Sequence, residues 1–269
     1  MGSTPGSPIA LGWEDLAVAA GLVVVAGVIS LLMKLRIERR LAIASLRTVV
    51  QLLLIGYVLE WVFAARSLLA LAPIVMLMVA GATHAAIRRP RRSLAGIGWR
   101  AFLTLVTSGL ITTITATAVI IGVRPWYEPH YLVPLLGMVL GNTMNAISLS
   151  VDHLLETLTE RRGEVEMELA LGATRWEAAR GPIADAVRRG MIPIVNSMTV
   201  VGIVSLPGMM TGQILAGADP VVAVRYQIMI MFMLAAGTAL GSIGMAMLVY
   251  RRLFNQRHQL LAEAIRRRG

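Results

Sequence analysis

Of 269 residues, 57% are hydrophobic and only 15% are charged, and the mean hydropathy is +0.72. So apolar a chain excludes a water-soluble domain and reads as an all-α, polytopic membrane protein. The formal net charge is +10, and there is no cysteine, which excludes disulfides, thiolate metal sites and cysteine catalysis.

Apolar runs long enough to cross roughly 30 Å of hydrocarbon cover residues 16–33, 43–64, 68–86, 102–123, 132–151, 191–206 and 221–250. Seven transmembrane helices are expected, in one membrane domain spanning residues 1–269. Residues 1–13 carry no basic side chain, and no small-residue cleavage site follows the first run, so no cleaved signal peptide is expected. Lys and Arg fall five, five, six and six within residues 34–47, 88–100, 161–189 and 251–268, leaving Arg66, Arg124 and Arg225. That asymmetry predicts an outer N-terminus and an inner C-terminus. It also accounts for most of the positive charge, so the basic tail is read as facing anionic membrane lipid and not nucleic acid. Trp61, Trp126, Tyr127 and Tyr131 fall where outer interfacial anchors belong.

The most informative interruption is the cytoplasmic segment 152–190, between the fifth and sixth runs. A helix is expected to continue from Asp152 to Leu171, with Gly172 as its left-handed cap. Thr174-Arg175-Trp176-Glu177 is a capping box that starts the next helix. Pro182 and Gly190-Met-Ile-Pro193 are expected to break that helix, leaving a short crosswise helix from which Trp176 projects. Such a helix suits a groove in a soluble partner, with the aromatic residue as anchor; the plainer alternative is an amphipathic helix lying at the interface. Further on, the Gly- and Pro-rich stretch Leu206-Pro207-Gly208-Met209-Met210-Thr-Gly-Gln213 remains apolar, as expected of a buried or re-entrant loop at the outer end. Asp219-Pro220 reads as N-cap and first residue of the last helix.

Glu168, Ala170, Gly172 and Ala173, followed by the Thr174 box with Arg175, Trp176 and Glu177, resemble the Glu-Ala-Ala-type motif through which ABC-transporter permeases dock on their ATP-binding subunits. A P-loop needs a lysine after a glycine-rich turn, and the sole lysine here, Lys34, sits in Leu-Leu-Met-Lys-Leu-Arg; any ATP hydrolysis belongs to another chain. Gly141-Asn142-Thr-Met-Asn145, the run from Glu168 to Thr174, the 206–213 stretch, and Ala218-Asp-Pro220 with Arg225-Tyr-Gln-Ile-Met-Ile230 are similar to the FetB family of iron-export ABC permeases, which includes plant permeases linked to aluminium tolerance. The resemblance implies a homodimeric permease of the bacterial-type inner membrane. It would work with two copies of a cytosolic ATP-binding subunit, which would hold ATP and magnesium, and would export iron or contribute to metal-stress resistance. No cofactor is expected in this chain.

Polar groups within apolar spans are costly and mark candidate paths. Asn142 and Asn145 lie three apart, with Met138 one turn before; Asn196 lies in the next run, and Gln51 is one turn from Arg47. These amides suit either a cation path or helix–helix hydrogen bonds. Met209 and Met210 are candidate soft metal ligands, although thioethers favour Cu(I) over iron and Met often fills cores. Pro207, Gly208, Met209, Met210 and Gln213 form the expected outer loop, and Glu60 with Arg225 would pair as a gate. Gly137-x-x-x-Gly141 and Gly237-x-x-x-Gly241 permit close helix contact, within the chain or across a dimer. The four histidines have no ligand spacing. Two other transport readings remain: an ion-driven secondary transporter, which would usually show paired inverted repeats, and an ABC permease for a small organic molecule or another metal. An intramembrane hydrolase would need an acid, base or nucleophile cluster, and none can be assembled.

Overall fold

The computed structural model describes residues 12–65 and 67–267; the chain before Gly12, Arg66 and Arg268 lie outside the described residues. The fold is all-α apart from two three-residue strands. In chain order come α1 (Trp13–Leu32), α2 (Glu38–Ala65), α3 (Leu68–Arg88), β1 (Arg92–Leu94), α4 (Ile97–Ile114) with a π-helical extension (Thr115–Ile121), α5 (Pro129–Glu160), α6 (Arg162–Ala170), α7 (Arg175–Val200), α8 (Gly208–Leu215), α9 (Pro220–Leu253) and β2 (Ile265–Arg267).

Helices α5, α7 and α9 form the centre, α3 and α4 pack beside them, and α1 and α2 form a hairpin at the side. The centre is tight because small residues let backbones approach where lipid offers no hydrophobic drive for helix association. A Cβ placed on Gly190 of α7 would lie 2.8 Å from the Ala146 carbonyl oxygen of α5 and 2.9 Å from Ser242 Oγ of α9. Gly237 and Gly241 do the same between α9 and α5: a Cβ on the first would lie 2.8 Å from Val139 Cγ1, and one on the second would overlap Thr143 Cγ2. This Gly-x-x-x-Gly pair is therefore used inside the chain.

Six helices are long and apolar enough to cross a membrane, by length and composition, among the described residues. The sixth apolar run departs from expectation. Its residues 191–200 are the last ten of the 26-residue α7, the helix ends at Val200, and residues 201–206 form a turn. Pro182 and Pro193 are carried inside α7 and do not break it. A proline inside a helix costs about 3 kcal/mol, but the buried residues Ala178, Ala179, Pro182, Ile183, Ala186, Gly190 and Ile194 recur at helical spacing through both sites. Packing of that continuous stripe outweighs the local penalty. Conversely, the expected single helix from Asp152 to Leu171 is interrupted at Arg161, where φ is −100° and ψ is 24°. The stretch 206–213 is not an irregular loop throughout, since Gly208–Leu215 is helical with Pro207 as N-cap. Asp219 caps α9 as expected, its Oδ1 accepting the N–H groups of Val221 at 2.8 Å and Val222 at 3.1 Å.

Replacing Gly241 by Ala should destabilise the detergent-solubilised protein by about 1–3 kcal/mol, the usual cost of overpacking, seen as a lower melting temperature. Adding Thr143→Ala removes the clashing methyl and should restore most of the loss.

Candidate functional site at the two ends of α7

The Arg175 end is built from two interlocked helix caps. Ala173 N–H donates to Glu168 O at 3.0 Å and Gly172 N–H to Leu169 O at 3.1 Å, a Schellman arrangement that requires the left-handed φ of +96° at Gly172. Two residues later the capping box closes: Thr174 N–H donates to Glu177 Oε2 at 2.7 Å, and Glu177 N–H to Thr174 Oγ1 at 3.3 Å. The Thr174 side-chain and backbone donors also hold the Glu177 carboxyl below its ordinary value of 4.5. Glu168, Ala170, Gly172, Ala173, Thr174, Arg175, Trp176 and Glu177 are thus brought together in one helix–turn–helix at the end of the bundle. Trp176 is 43% exposed and rests edge-on against Tyr250 with centroids 5.7 Å apart, so one face of the indole is held while the other is open.

Sequence reasoning missed what holds this corner from behind. His258 Nδ1 accepts the Arg175 backbone N–H at 2.8 Å, and Arg175 Nη1 donates to Asn255 O at 3.4 Å. The tail then runs on to β2, which pairs antiparallel with β1 in the α3–α4 connection, Arg92 opposite Arg267 and Leu94 opposite Ile265. A cavity of about 850 Å³ lies between α6 and this tail, lined by Arg162, Glu166, Ala170 and His258 among others. No local pattern foretells this clasp, because both strands are three residues long and distant in sequence.

At the Val200 end of α7, a cavity of about 330 Å³ is lined by Met138, Asn142, Ser197, Met209, Gln227 and Met231, with apolar neighbours. Its polar donors are neutral amides, hydroxyls and thioethers. Asn142 Nδ2 donates to Met138 O at 2.9 Å. Gln227, not singled out from the sequence, is buried with its Oε1 unpartnered, as is Gln213 Oε1 on α8. A lone amide in an apolar helix is the signal that would have marked it.

The structure separates the other expected path and gate residues. Asn145 accepts a hydrogen bond from Arg89 near Asp152, whose Oδ1 accepts the Arg91 N–H at 2.7 Å, so Asn145 secures the α3 terminus. Asn196 faces outward on α7, and Gln51 lies exposed on α2. Met209 lines the small cavity, but Met210 is buried toward another, of about 490 Å³, beside Val224 and Phe232; the two thioethers do not face one space. Glu60 and Arg225 form no ion pair with each other among the described residues. Arg225 instead lines a third cavity, between α4 and α9.

An all-helical bundle with several membrane-spanning helices and a capped, half-exposed aromatic corner defines a multi-pass membrane protein. The model of the uncharacterised protein family UPF0014 matches residues 13–254, and the chain belongs to that family. Among its relatives, a UPF0014 membrane protein of Synechocystis is 41% identical over 94% of this chain and 98% of its own length. The Escherichia coli protein named "Probable iron export permease protein FetB" is 34% identical over 95% of this chain and 97% of its own. The Arabidopsis thaliana protein ALUMINUM SENSITIVE 3 is 33% identical over 90% and 88% respectively. These matches bear out the resemblance to the FetB family and its plant members. No solved structure matches the chain significantly.

Thr174→Ala should speed hydrogen exchange at the start of α7 roughly fivefold, the equivalent of an N-cap worth about 1 kcal/mol, and His258→Ala should do the same at Arg175. In the unaltered protein the Glu177 side of the box, whose carboxyl is lowered, should persist above pH 4.5 and open only as pH falls through the lowered value.

Proposed function

We propose that this chain is the membrane-embedded permease of an ATP-driven ABC exporter whose cargo is iron. The observation that carries the reading is the near full-length match to a protein named for iron export, together with a corner shaped to meet a soluble partner. In this reading two copies of the permease work with two copies of a cytosolic ATP-binding subunit, which supplies magnesium and ATP. The N-terminus lies outside and the C-terminus inside, as the basic residues favour.

The partner's closure presses on Trp176 and the start of α7. That helix is continuous from the corner to the outer cavity, and helices transmit displacement as rigid bodies. The movement therefore reaches Asn142, Met138, Met209 and Gln227, where neutral oxygens and thioethers replace part of a cation's hydration shell without trapping it in a high-affinity site. The clasp of His258 and β2 carries the same movement to α9 and the α3–α4 connection.

Co-purification of the detergent-extracted protein with candidate P-loop ATPases, followed by hydrolysis in proteoliposomes with and without Fe(II), tests this. A stable complex whose hydrolysis rises with iron is expected; a complex indifferent to iron would remove the cargo assignment, and no complex would remove the exporter. Trp176→Ala with Gly172→Ala should leave membrane insertion intact while hydrolysis no longer depends on cargo. Full coupling in that double variant would overturn the role of the corner.

A further inference from the structure

Helices α4 and α9 meet closely at one end of their contact and part at the other. Near the close end, a Cβ on Gly244 would lie 3.3 Å from Thr104 Cγ2, and one on Gly237 would lie 3.4 Å from Thr112 Oγ1. Between Pro220 and Gly237, α9 holds no other glycine, and α4 passes at Thr115 into its π-helical extension, whose i→i+5 bonding widens the helix. A cavity of about 560 Å³ opens along this stretch, with Ile111 and Ile120 on one wall and Ile228, Phe232 and Leu240 on the other. From Leu240 to Arg225 it follows fifteen positions of α9, about 22 Å at 1.5 Å per residue.

The groove is apolar except at its Arg225 end. Thr112 and Thr115 also line it, but they donate their hydroxyl hydrogens to Ser108 O and Ile111 O of their own helix, both at 2.7 Å. Arg225 is exposed and makes no ion pair or hydrogen bond among the described residues, while its neighbours along α9, Val221, Val222, Val224 and Ile228, are exposed and apolar. A cation on such a helix is costly unless an anion meets it. A soluble anion would satisfy the charge and leave the apolar groove wet; a hydrocarbon chain alone would fill the groove and leave the charge unpaired. The lining holds no acidic residue, so a second copy presenting the same groove would bring no partner for the guanidinium. An anionic amphiphile meets both demands.

We propose that the α4–α9 groove seats one acyl chain of an anionic phospholipid and that Arg225 holds its phosphodiester. One leaflet contributes about 15 Å of a roughly 30 Å hydrocarbon core, so a single chain fits the length of the groove with its headgroup at the Arg225 end. The planar guanidinium fork matches two phosphate oxygens at once. Phosphatidylcholine carries the same phosphate, but its own ammonium competes with Arg225, which gives the site a preference for lipids of net negative charge. Lipid binding here depends on neither the cargo nor the ATP-binding subunit.

The test titrates the delipidated, detergent-solubilised protein with phosphatidylglycerol or with phosphatidylcholine of the same acyl chains, and counts bound lipid from the mass of the intact complex. The unaltered chain should hold one phosphatidylglycerol about tenfold more tightly than phosphatidylcholine, the worth of one charge-assisted pair. Arg225→Gln should erase that preference. Arg47→Gln should leave it whole, since Arg47 is equally exposed among the apolar Leu46, Val49 and Val50 of α2 but is not part of this lining. Ala236→Phe, which fills the groove from an exposed position on α9, should lower retention of both lipids. Equal affinity for the two lipids in the unaltered chain, a preference that survives Arg225→Gln, or an equal loss in Arg47→Gln would overturn the headgroup site; retention undiminished in Ala236→Phe would overturn the groove.

Discussion

The contact of α7 with α5 and α9 at Gly190 is the constraint on which the remaining architecture depends. With Ser150 Oγ, the Ala146 carbonyl and Ser242 Oγ all within 3 Å of where a side chain would begin, α7 has one height and one rotation relative to its neighbours. From that pin, fifteen residues lead back to Arg175 at the capped corner and ten lead forward to Val200. The capped corner and the exposed turn 201–206 are the two ends of one continuous helix.

The Arg175 end is reinforced by specific polar bonds while the middle is held by shape. The Arg175 end carries reciprocal caps, an edge-on aromatic contact and a tail that reaches across to another connection. At the pin, the hydroxyls of Ser150, Ser242 and Thr143 have no hydrogen-bond partner among the described residues. They are placed for their small size, since bulkier apolar side chains would separate the helices that glycine brings together.

The outer cavity shows what a neutral set of donors can do. In the proposed permease, thioether, amide and hydroxyl groups would stabilise a cation weakly, as release from a transport path requires. The amides expected to converge instead serve different ends, for Asn142 lines the cavity, Asn145 holds Arg89, and Asn196 faces outward. Their shared chemistry made them look alike, because residue type reports polarity in a span but not the direction in which a helix turns it.

The amino-acid sequence by itself determined the membrane class, the helical content, the asymmetry of basic residues and each local cap, including Gly172, Thr174 with Glu177, and Asp219. All of these are fixed by interactions within a few residues or by composition against the bilayer. Tertiary structure alone decided that α7 runs unbroken through two prolines, that it ends at Val200, that His258 and β2 clasp the corner, and that Gln227 faces the cavity. Each of those outcomes follows from packing between segments tens of residues apart, where burial of a continuous stripe outweighs the local preference of a proline, and no local pattern carries that sum.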